Sequence, residues 1–154
     1  MAKTFRKKRT NSTLKNMKSQ SKKSSLQKFE NEITVVFFEI LLMIKLYHWK
    51  THSYPTHKAT DELYESLNDN MDKFIEVLLG KSGSRIDLTK QKTISLIDLN
   101  SPEQLIAKVE SFKSYLVGLT NNKAMNLMSN TDLLNIRDEI LGEMNQFLYL
   151  LTFK

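Results

Sequence analysis

Cysteine is absent from the 154 residues, which excludes disulfide staples, thiolate metal ligands and a cysteine nucleophile, and leaves the redox compartment open. Only two prolines and four glycines interrupt the backbone, so long helices are favoured over a strand-rich fold. Acid is missing from residues 1–25, which carry nine basic residues: Lys3, Arg6, Lys7, Lys8, Arg9, Lys15, Lys18, Lys22 and Lys23. The net charge of +6 therefore averages two unlike parts, because residues 26–154 hold 14 Lys or Arg against 17 Asp or Glu, about −3. Long apolar runs are lacking too. The nearest, Ile33 to Tyr47, is too short for a bilayer and is broken by Glu39 and Lys45. No uninterrupted apolar region precedes a small-residue cleavage site, so neither a secretory signal nor a membrane partner is expected.

What is present divides at about residue 25. The first 25 residues are rich in Ser, Asn and Thr with almost no large apolar side chain. Such a segment has nothing to bury in return for its ordering entropy, and it reads as a disordered basic arm. Residues 26–154 read as one all-α domain of four helices. From Leu26 to about Lys50, Phe29, Ile33, Val36, Phe37, Ile40, Ile44 and Tyr47 recur at helical spacing. Val35, Phe38, Leu41, Leu42 and Met43 fill much of the remaining circumference, and a helix apolar on more than one face needs a partner subunit as well as a core. A polar stretch, Thr51 to Thr56, leads into a second stripe of Leu63, Leu67, Met71, Phe74 and Leu78, ended by Gly80 and Gly83. Residues 81–100 form a long connection suited to crossing a bundle. Ser101-Pro102-Glu103-Gln104 opens a third helix with the residues of an N-cap, a first-turn proline and a capping box. Leu105, Val109, Phe112, Leu116 and Leu119 form its stripe. A fourth runs from about Thr131 to Leu151 with Leu133, Ile136, Ile140, Met144, Phe147 and Leu151 inward.

The chemistry gathers near the second helix. At 100° per residue, with His57 at zero, Asp61 falls near 40°, Asp72 near 60° and Glu76 near 100°, one ribbon beside the apolar stripe. His48 lies one turn after Ile44, and all three histidines (His48, His52, His57) fall within ten residues. Imidazole with carboxylate oxygen suits iron, manganese or zinc. The same ribbon also describes an ordinary solvated face, since Glu62, Glu65 and Asp69 share it.

Tyr47-His48-Trp49, His57-Lys58-Ala59-Thr60-Asp61 and Asp72 followed by Glu76 resemble the DNA-protection-during-starvation (Dps) branch of the ferritin superfamily. The likeness is specific over residues 47–80 and extends by helix order over about residues 26–153; the segment is also similar to ferritin-like proteins of large DNA viruses. The resemblance implies a ferritin-like four-helix bundle with its long connection between helices 2 and 3. It makes His48, His57, Asp61, Asp72 and Glu76 the iron-binding and ferroxidase residues, with His57 and Asp61 of one subunit facing His48, Asp72 and Glu76 of another. It further implies a hollow homo-oligomer of twelve subunits, iron as the metal with zinc or manganese as alternatives, and a cytoplasmic, nucleoid-associated or virion location. The loop between His48 and His57 is shorter than the family's, lacks its glycine and carries His52.

The nine basic residues of the arm are the expected DNA contacts, since Lys and Arg release counterions from phosphates without reading sequence. A solubilising or targeting tail is the other reading of that arm. For the whole chain, a Dps-like ferroxidase, a non-catalytic nucleoid or virion protein and a helical interaction module all remain open at this point. No nucleophile elbow or phosphate loop supports hydrolytic or nucleotide chemistry.

Overall fold

The computed structural model describes the backbone of residues 3–153 and the side chains of residues 16, 17 and 19–153. It contains four α-helices: α1 (Lys3–Lys50), α2 (Tyr54–Ser82), α3 (Pro102–Gly118) and α4 (Thr131–Leu150). Two short 3-10 turns, Leu119–Asn121 and Met125–Leu127, join the last two. No strand occurs among the described residues, and no helix among them is long and apolar enough to cross a membrane.

Each boundary has a local cause. Ser53 caps α2 by accepting from Thr56 N, and Pro55 occupies its first turn, where a missing N–H costs nothing. Gly83 ends α2 in the left-handed region at φ 67°, donating its N–H to Leu79 O. Ser101 Oγ accepts from Gln104 N at 3.3 Å, while Gln104 Oε1 reaches back to Asn100 N at 2.7 Å. The reciprocal bond of that box thus falls one residue earlier than the standard arrangement.

The stripes read from the sequence form the core. Ile33, Ile40, Ile44, Leu67, Phe74, Leu78, Leu105, Leu116, Leu133, Ile140 and Met144 are all fully buried, and Met43 joins them. Val36 and Leu151 are only half-buried. Phe37 of α1 and Phe74 of α2 meet edge to face at 5.5 Å near the middle, an arrangement aromatic quadrupoles favour.

Pairings along the helices give the topology. The short turn after Lys50 makes α1 and α2 antiparallel. Lys81 of α2 pairs with Asp132 at the start of α4, and Ala59 and Leu63 share a cavity with Phe147 and Leu150 at its end, so α4 runs against α2. Helix α3 runs against α1: the Tyr47 hydroxyl is pushed up by burial and by Glu103, and the Tyr115 hydroxyl, to about 12, by burial and by Glu32. Two antiparallel hairpins, α1–α2 and α3–α4, are therefore joined by one long crossover, residues 83–101.

That crossover is fastened to α1 at both ends. Gln27 Nε2 donates to Arg85 O and Asn31 Nδ2 to Asp87 O, at 3.2 and 2.8 Å. Between them Ser84 Oγ donates to Glu30 Oε2 at 2.7 Å. At the other end Lys50 Nζ holds Asp98 Oδ1 and Asn100 Oδ1 at 2.8 and 2.7 Å. Glu30 is 0 % exposed, and its Oε1 is the one fully buried side-chain polar atom among the described residues without a hydrogen-bond partner. Burying a carboxylate costs several kcal/mol unless it is fully partnered, whereas an unpaired amide costs about 1–3 kcal/mol. Glu30→Gln keeps an acceptor for Ser84 and removes the charge, so its thermal midpoint should rise by roughly 2–4 °C. A lower midpoint in differential scanning calorimetry would show that the carboxylate is compensated in place.

The largest difference from the sequence reading is at the N-terminus. Helix α1 begins at Lys3, whereas residues 1–25 read as disordered. The disorder argument weighed burial alone, and the described side chains from Asn16 to Ser25 are indeed exposed. Extending a helix already nucleated by packing needs no new nucleus, and no Gly or Pro precedes Pro55. The side chains of Lys3, Arg6, Lys7, Lys8, Arg9, Lys15 and Lys18 lie outside the described residues; Lys22 and Lys23 are exposed.

Candidate functional site

Three of the five predicted site residues come together at the α1–α2 turn. His48 is buried in the last turn of α1 and His57 is half-buried in the first turns of α2. Their rings stack with centroids 3.9 Å apart and planes 23° from parallel. His48 Nδ1 lies 3.0 Å from His57 O, and His57 Nδ1 lies 3.1 Å from His48 O. A carbonyl oxygen only accepts, so in both contacts Nδ1 carries the hydrogen, which leaves Nε2 as the nitrogen of each ring that could meet a ligand. Thr60, buried beneath, sets its hydroxyl 3.3 Å from His48 Nδ1 and itself donates to Thr56 O or His57 O.

Asp61 completes the group. Its Oδ1 stands 3.7 Å from His48 Nε2. Such a separation suits two atoms sharing one ion through bonds of about 2.0–2.2 Å. The same Oδ1 also meets Lys45 Nζ at 3.5 Å. Among the described residues, however, no three His, Asp or Glu side chains converge in a metal-holding group.

Asp72 and Glu76 are not part of this cluster. They follow Asp61 by 11 and 15 residues along α2, roughly 16 and 22 Å at 1.5 Å per residue, and both are exposed. The resemblance sets His48 opposite His57 and Asp61 across a subunit boundary, whereas the short loop brings these three side chains together within one chain. His52 is exposed and lines a separate notch with Tyr47, Lys50 and Asn100. Of the neighbouring aromatics, Tyr47 is buried, Trp49 is 69 % exposed, and Tyr64 lies 4.6 Å beneath Lys45 Nζ.

An apolar groove runs from this cluster along α1 and α2. One cavity of about 600 Å³ is lined by Phe38, Leu41, Leu42, Lys45, Trp49, Tyr64, Asn68 and Ile94. A second of about 320 Å³ shares Phe38, Leu41 and Asn68 and reaches Asp72 beneath Ile86 and Leu88 of the crossover. Phe38 and Leu42, on the extra apolar face of the first helix, remain 43 % and 39 % exposed. Sequence reasoning missed Lys45 as a member of the site, since in the chain it reads only as an interruption of an apolar run.

Fold and site together define an all-helical protein of four helices, with a His-His-Asp cluster at one end and an apolar groove leading from it. The chain belongs to the family described as Family of unknown function (DUF5856), whose model matches residues 48–151. That range contains His48, His57, Asp61, Asp72 and Glu76 and leaves out the basic N-terminal segment. No curated protein matches the chain, and no solved structure does.

Proposed function

We propose that this chain is a Dps-like, ferritin-like protein that binds and oxidises Fe²⁺ between subunits and holds DNA through its basic N-terminal segment. The observation that carries the reading is the His48–His57–Asp61 cluster, two stacked imidazoles with a carboxylate oxygen 3.7 Å from the Nε2 of one of them. Support comes also from the topology, since two antiparallel hairpins with one long crossover is the ferritin-like connection pattern. Asp72, unpaired with the cluster in one chain, lines the same groove, and Glu76 follows it one turn further along α2. A two-fold axis near Asn68, midway along that stretch of α2, would lay the His end of one copy over Asp72 and Glu76 of a second. The exposed Phe38 and Leu42 would be covered in the same step. A twelve-subunit shell follows the resemblance alone.

In this reading Fe²⁺ is the substrate. Hard anionic carboxylate oxygens bind it and favour the higher charge of Fe³⁺, the imidazoles add nitrogen donors, and two Fe²⁺ each give one electron to a hydrogen peroxide, which takes up two protons and leaves as two waters. Zinc or manganese would occupy the same donors without that turnover. The second reading, a non-catalytic protein of a nucleoid or virion, is favoured by the Lys45 ammonium already standing on Asp61.

The test is anaerobic Fe²⁺ loading of the purified protein followed by peroxide, with ferric absorbance recorded for wild type, His57→Ala and Asp61→Ala. Fast oxidation in the wild type, lost by at least about 100-fold in both variants with helicity unchanged by circular dichroism, is expected. Rates equal to buffer in the wild type would leave the structural reading.

A further inference from the structure

The candidate cluster already holds a cation of its own. Lys45 and His48 are one turn apart on α1, and Asp61 and Tyr64 are one turn apart on α2, so the two pairs meet across the helix interface. Lys45 Nζ lies 3.5 Å from Asp61 Oδ1 and 4.6 Å from the centre of the Tyr64 ring. The aromatic face and the carboxylate together define where the ammonium sits. It stands on the oxygen that faces His48 Nε2 at 3.7 Å.

We propose that Lys45 is a built-in competitor for Asp61, an internal cation that must be displaced before the carboxylate can bind a divalent ion. This inference rests on the reading of His48, His57 and Asp61 as metal ligands. The argument is one of charge. The Lys45 ammonium and the Asp61 carboxylate sum to zero. A divalent ion added beside the retained ammonium makes +2, against +1 without it, and like charges a few ångströms apart repel at the partly exposed positions both side chains occupy. Lys45 and Asp61 are 30 % and 35 % exposed, so solvent screens the repulsion without abolishing it. A lone chain is thereby kept poor in metal, and additional carboxylates, such as Asp72 and Glu76 of a second copy, tip the balance towards binding. Lys45 acts through Asp61 and is a positioning residue.

The probe is Co²⁺ alone, titrated into the full chain at low and moderate salt, with its visible ligand-field absorption reporting His and carboxylate coordination. Wild type, Lys45→Met, Lys45→Arg and Asp61→Ala are compared. Lys45→Met retains the stem over Tyr64 and should bind Co²⁺ about tenfold more tightly, the advantage shrinking as salt rises. Lys45→Arg keeps the charge and should stay within a few-fold of wild type. Equal or weaker binding by Lys45→Met, with binding still lost in Asp61→Ala, would overturn the competitor role and leave the ligand reading standing. Unchanged binding by Asp61→Ala, or no spectral change in any of the four proteins, would overturn the ligand reading and this inference with it.

Discussion

Phe74→Ala should destabilise the fold by about 3–5 kcal/mol, the range for truncating a large buried aromatic. Phe74 is 0 % exposed, its ring meets Phe37 edge to face at 5.5 Å, and it sits on α2, the helix that packs against both α1 and α4. Three costs add: the apolar surface no longer buried, the cavity left because helices on either side cannot close on it, and the lost ring pair. A domain of this size is stable by only about 5–15 kcal/mol, so the substitution consumes a large share. Urea denaturation should move to a lower midpoint with an unchanged slope, since the surface exposed on unfolding is nearly the same. Val117→Ala, 56 % exposed on α3, should stay within about 0.5 kcal/mol of wild type. A loss below about 1.5 kcal/mol for Phe74→Ala would mean that the centre of the bundle relaxes around the gap.

Deleting residues 1–25 should weaken binding to duplex DNA by about 1,000-fold at 50 mM salt and remove its salt dependence. The deletion takes nine of 23 basic residues and no acid, leaving a body of about −3. Each phosphate neutralised contributes roughly −0.9 to the slope of log affinity against log salt. The full chain, engaging up to nine phosphates, should therefore approach a slope of about −8, and the truncated chain a slope near zero. As a helix from Lys3, the segment is about 35 Å long, comparable with one turn of duplex. Fluorescence anisotropy on two unrelated duplexes checks the slope and the indifference to sequence together. A truncated chain that binds as well as the full one would assign the contact to the bundle and sink the role of the segment.

Most of the fold was legible because α2, α3 and α4 each carry one apolar stripe in step with the helical period, and α1 carries one with further apolar residues around it. Ser101-Pro102 and Gly83 act where their chemistry says they should, and Leu63, Leu67, Met71, Phe74 and Leu78 are buried as a set. The start of α2 was readable in Ser53-Tyr54-Pro55, but the surrounding polar residues masked it as loop. The site was legible only in part, for a geometric reason. Angular position on α2 sets the side on which Asp61, Asp72 and Glu76 project, while roughly 16–22 Å of axial rise separates them. Lys45 and Glu30 escaped altogether, since each acquires its meaning from a residue on another element, Asp61 and Ser84 respectively.

The crossover pinned at both ends of α1 has a length of its own to answer to. Asn31 and Lys50 are 19 residues apart on the helix, about 28 Å, while the eleven peptide steps from Asp87 to Asp98 reach roughly 36–40 Å when extended. The slack amounts to two or three residues. Lengthening this segment costs little, because loop closure rises only slowly with length; shortening it beyond that slack pulls a hydrogen bond out at one end. Evolution is thus free to add residues to this stretch and nearly barred from removing them, which makes residues 88–97 the natural place for relatives of this chain to differ.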